Sequence, residues 1–104
     1  MKVRDMGRFR AERFITLMLG RYGSYDESND IMVELNEPLQ VENRDMVAVY
    51  YSGQELDTYV LVDNHDNNNI QPFPIAQLTY AMLQALVDYF VSYHNERNDT
   101  CKFE

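Results

Sequence analysis

At 104 residues, with 45% hydrophobic and 25% charged side chains, the chain has the size and make-up of a single globular domain with one modest core, which excludes a disordered tail or a fibrous protein. Its formal net charge of −8 is unevenly placed: through Tyr22 six cations face two acids, and from Gly23 onward three cations face fifteen acids. A surface so anionic repels phosphates and acidic lipid and attracts basic surfaces, so neither direct nucleic-acid binding nor membrane association is expected.

No apolar run of signal-peptide length follows the first cations, because Arg8, Arg10 and Arg13 interrupt it, and residues 14–19 are too few to span a bilayer. The single Cys101 can form no internal disulfide. A cytoplasmic protein is the expectation.

The first element is predicted as a helix over residues 6–21, where Phe14, Ile15, Leu17, Met18, Leu19 and Tyr22 recur at helical spacing and Gly20 and Gly23 mark the end. Its arginines line the solvent side, with Arg8 and Glu12 one helical turn apart. Residues 23–30 are a polar loop whose Asp, Ser and Asn side chains can bond their own backbone. A short strand at 31–35 ends in a turn at Asn36-Glu37-Pro38, since proline cannot donate to a ladder, and residues 39–41 read as a fragment of edge strand. Residues 46–62 form a hairpin about Gly53-Gln54-Glu55. Strict alternation puts Val47, Val49 and Tyr51 on one face with Thr58, Val60 and Val62, and Met46, Ala48 and Tyr50 on the other with Tyr59 and Leu61. Neither face is fully polar, so helices should cover one, and aromatic residues or a partner part of the other.

Residues 63–69 are the most polar of the chain and, with 70–74, read as a loop. A long helix is predicted from Pro74 through about residue 96, with Ile75, Leu78, Met82, Leu86, Tyr89, Phe90 and Tyr93 on one stripe. Tyr80, Leu83, Val87 and Val91 widen the apolar surface beyond that stripe and predict a second contact, either a homodimer interface or packing against the first helix. The fold class is α+β in α-β-β-β-α order: a small, mainly antiparallel sheet of three or four strands with both helices on one face.

Asp63, His65 and Asp66 bring two carboxylates and an imidazole within four residues, types that bind metal or exchange protons. The set is incomplete for zinc, and counted from Asp63 a calcium loop would meet Asn68 and Pro74 where glycine and glutamate are needed. Neither metal nor cofactor is expected. Without a nucleophile elbow or a glycine-rich phosphate loop, no catalytic residue is assigned and a non-enzymatic protein is expected, an enzyme using the Asp63/His65/Asp66 loop ranking third. His94, near the end of the long helix, is expected to interact with that helix's negative C-terminus.

Tyr25-Asp26-Glu27-Ser28-Asn29-Asp30 resembles a short stretch of the phage uracil-DNA glycosylase inhibitors; the likeness covers six of the 104 residues, and no membership is read from it. Small acidic phage and mobile-element proteins that mimic nucleic acid share the general profile. The expected function is binding to a protein with a basic surface through Asp26, Glu27, Asp30, Asp63 and Asp66, as an inhibitor or nucleic-acid mimic; the alternative is a homo-oligomeric structural or accessory protein.

Overall fold

The computed structural model of the protein describes residues 1–64 and 69–104, so the chemistry and partner contacts expected of His65 and Asp66 lie outside the described residues. The chain runs α1 (Val3–Met6), α2 (Arg8–Tyr22), β1 (Ser24–Tyr25), β2 (Ile31–Val41), β3 (Arg44–Ser52), β4 (Asp57–Asn64), β5 (Ile70–Pro74), a 3₁₀ turn (Ile75–Gln77) and α3 (Tyr80–Arg97). The strands form one antiparallel meander in the order β1-β2-β3-β4-β5, with α2 and α3 side by side on one face. This is the expected α+β class, with five strands where three or four were predicted.

The helix predicted over residues 6–21 starts at Arg8, because Gly7 adopts φ 88°, ψ 155°, a conformation that residues with a Cβ avoid, and a separate turn of helix precedes it. The buried stripe of α2 is Ala11, Phe14, Ile15, Met18 and Leu19, at steps of three and four residues. Leu17 was expected on that face, but at about 100° per residue it points away from it and is 62% exposed.

Residues 36–38 do not end a strand. β2 continues through them, and residues 35–38 bulge opposite Val47 before pairing resumes at Leu39↔Met46. Pro38 fits because it lies in the bulge and β1 pairs only with Ile31 and Met32, so no ladder donor is demanded there. On the other side of β3, Met46 pairs with Val62 and Ala48 with Leu61, leaving Val47 the extra residue. That insertion reverses the alternation and moves Met46 from its predicted face onto the core face, where it is fully buried with Val49, Val60 and Val62.

Residues 70–74, read as loop, form edge strand β5 on β4. Pro72 and Pro74, two apart, share one backbone orientation and cost the ladder nothing where that orientation is outward. The last helix starts at Tyr80 rather than Pro74: Thr79 is the N-cap, its Oγ1 accepting the Met82 N–H at 3.2 Å, while Ile75 and Leu78 stay buried through the 3₁₀ turn. Arg8 holds that turn, donating to the carbonyls of Ile75 and Ala76 at 3.1 and 2.9 Å and pairing with Glu12 at 3.1 Å.

The second contact predicted for the long helix is made by α2. Leu83 and Val87 are fully buried within the chain, Val91 is partly buried against the same cluster, and Tyr80 is 55% exposed under the Arg8 guanidinium. His94 is buried where the helices end: Nδ1 lies 2.6 Å from the Tyr22 hydroxyl and Nε2 2.6 Å from the Cys101 carbonyl. A carbonyl only accepts, so Nε2 donates to it, and in the neutral ring Nδ1 accepts from Tyr22. Phe103, against Phe14 and His94, and the paired Asn95–Phe103 bonds hold the following segment to the helices.

Candidate functional site

The helices cover the sheet face bearing Val33, Met46, Val49, Val60 and Val62. The opposite face carries a concavity of about 700 Å³ with a floor that includes Met32, Leu61 and Pro72. Within it Tyr50 of β3 and Tyr59 of β4 stand side by side as cross-strand partners. Tyr50 donates a 2.5 Å hydrogen bond to Asp30 Oδ2, and Tyr59 donates to Glu55. The bond from Tyr50, reinforced by the Gly53 N–H at 2.8 Å, holds the Asp30 carboxyl below its usual range, and the same bond pushes the Tyr50 phenol up to about 12. Glu55 raises the Tyr59 phenol in the same way.

Two turns meet at this end of the sheet. Asp26 Oδ1 accepts the N–H groups of Ser28 and Asp30 at 2.8 and 3.1 Å, which closes the β1–β2 turn on itself. The β3–β4 turn approaches so closely that a Cβ at Gly53 would stand 2.7 Å from the Ser28 carbonyl oxygen and 2.9 Å from that of Asn29. Only glycine lets the two loops touch there and deliver Asp30 to Tyr50.

At the other end Asp63 faces Asp45 across β3–β4, and among the described residues Asp63 Oδ1 is a buried oxygen without a hydrogen-bond partner. Along the strands the two ends lie on the order of 20 Å apart. Of the acids singled out from sequence, Asp30 and Asp63 thus share the open face at its two ends. Asp26 is occupied in shaping a turn and Glu27 projects from that turn into solvent. Glu34, Asp45 and Glu55 were not singled out; Asp45 and Glu34 follow from strand parity once the Val47 bulge is known, and Glu55 from its bond to Tyr59. No cluster of described residues has the make-up of a metal site.

Between residues 24 and 74 the sequence has eleven acids and one cation, Arg44. Arg44 lies over the Phe73 ring, 5.2 Å from its centroid, on the helix side. Among the described residues, therefore, the open face holds carboxylates and phenols and no Lys or Arg, whereas Arg10, Arg13 and Arg21 are exposed on α2. Cations are thus confined to the helix side, and the open face presents hydrogen-bond acceptors to whatever meets it.

The chain belongs by its architecture to the α+β proteins with an antiparallel sheet open on one side. Compared with models of protein families, with curated proteins and with solved structures, it gives no match. No described helix is long and apolar enough to cross a membrane.

Proposed function

We propose that the protein acts without catalysis, by docking the open face of its sheet onto a basic surface of another protein, and that it does so as an inhibitor occupying a site that would otherwise receive nucleic acid. The observation that carries this reading is the segregation of the cations: carboxylates Asp30, Glu34, Asp45, Glu55 and Asp63 share a face that holds no Lys or Arg among the described residues, while the arginines lie on the helix side beside acids such as Glu12 and Asp88. Acidity serving solubility alone needs no such division, since charge spread over all surfaces keeps a protein in solution equally well. Asp45 and Asp63, cross-strand partners about 5 Å apart, and Asp30 and Glu55 at the other end of the face, on the order of 20 Å away, offer two negative clusters to a cationic surface.

The test is a pull-down with three proteins: wild type, an open-face variant (Glu34→Gln, Asp45→Asn, Glu55→Gln) and a helix-face variant (Arg10→Gln, Arg13→Gln). A partner retained by wild type and by the helix-face variant, lost by the open-face variant, and displaced by added salt and by duplex DNA is the expected result. Equal retention by all three rejects the reading. A second reading, homo-oligomeric assembly, draws on Phe9, Leu17 and Leu56, which are 72%, 62% and 74% exposed around a groove between α2 and the β3–β4 turn. Sedimentation over a concentration series decides it.

A further inference from the structure

The way this molecule treats its own arginines points to what the open face accepts. Five guanidinium groups lie over aromatic rings, Arg8 on Tyr80, Arg13 on Phe9, Arg21 on Tyr22, Arg44 on Phe73 and Arg97 on Tyr93, all on the helix side. Among the described residues, none of the ring pairs or cation–ring contacts involves Tyr50 or Tyr59. Each phenol donates its proton to a carboxylate, which leaves its oxygen as an acceptor and its ring enriched in electrons.

From the geometry we infer that the concavity lined by Tyr50 and Tyr59 is the seat of an arginine side chain supplied by the partner; the inference rests on the basic-partner reading above. The groups that would meet such a side chain match it part by part. Its methylene stem crosses Met32, Leu61 and Pro72, an apolar floor. Its planar head meets the rings and the two carboxylates, Asp30 and Glu55, whose remaining lone pairs take the fork of N–H donors. Lysine fits less well, because an ammonium carries three donors on a strongly hydrated point charge and does not stack.

The experiment uses the full chain and three six-residue peptides, hexaarginine, hexalysine and hexacitrulline, at one fixed ionic strength. Binding is followed by the ring proton resonances of Tyr50 and Tyr59, and by tyrosine emission, since the chain has no tryptophan. Hexaarginine is expected to bind about threefold to fivefold more tightly than hexalysine, the size of an exposed cation–ring contact, and uncharged hexacitrulline not to bind. Tyr59→Leu should bring hexaarginine down to the hexalysine affinity, while Tyr59→Phe, which keeps the ring, retains the preference; circular dichroism confirms that both variants fold. Equal binding of the arginine and lysine peptides, or binding that leaves both ring resonances unmoved, overturns the arginine seat and leaves the basic-partner reading standing. Binding of neither peptide removes both.

Discussion

The hydroxyl of Tyr50 and the carboxylate of Asp30, 20 residues apart in the chain, are joined by a 2.5 Å hydrogen bond that ties the acid-rich β1–β2 turn to the central strand of the sheet. An acid read from the sequence as free for a partner is thereby part of the scaffold, and its charge is presented at a set position on the open face.

That bond predicts a pH signature at both ends of the scale. Tyr50 ionises near 12 in the folded protein against an ordinary 10.0, so its contribution to stability is complete below pH 10 and lost as the pH rises through 12. Asp30 titrates below its ordinary 3.8, so its contribution is complete above that value and lost as the pH falls through the lowered one. In an absorbance titration of the eight tyrosines, Tyr50 and Tyr59 should ionise late, and Asp30→Asn should bring Tyr50 back toward 10.0. A Tyr50 resonance that titrates normally in wild type contradicts the bond.

Neutralising acids should separate scaffold from surface. Asp26→Ala with Asp30→Ala should lower the melting temperature, because one side chain closes a turn and the other links it to β3. Glu34→Gln with Glu55→Gln, at exposed positions, should move it by less than about 3 °C while slowing association with a basic partner and flattening its salt dependence. Thermal melts and stopped-flow association at two salt concentrations measure both.

Leu83 is a core residue of the single chain. Leu83→Ala should cost about 2–5 kcal/mol of unfolding free energy through the cavity it leaves between α3 and α2, with no change in sedimentation coefficient. A folded variant of reduced mass would instead place Leu83 between subunits.

Thr79 is the start signal of α3. Thr79→Ala should destabilise by about 1 kcal/mol and Thr79→Ser by far less, since serine retains the oxygen that accepts the Met82 N–H. Denaturant midpoints of the two variants, at an unchanged slope, give the comparison.

The hairpin and the long helix were legible because their signals are local: a run of β-branched and aromatic residues on either side of a glycine turn, and apolar residues at helical steps. The α3 start was misplaced by following Pro74 as a first helical residue, although Thr79, three residues before the Met82 amide it caps, carried the better signal. β5 was hidden by Pro72 and Pro74, which lower strand propensity in isolation but cost nothing on an edge whose ladder partner, β4, is already in place.

The candidate site divides in the same way. Its acidity and the absence of cations from most of the sheet-forming segment can be counted in the chain, and so can the pairing of Tyr50 and Tyr59 on one face of a hairpin. The joining of Asp30 to Tyr50 and of Glu55 to Tyr59, the turning of Arg44 to the helix side, and the return of Met46 to the core through one inserted residue depend on register and on contacts between segments distant in sequence. Composition and periodicity report the free energy of burying a face, which is local and additive; which face stays open is decided by where α2 and α3 pack, and that is a property of the whole fold.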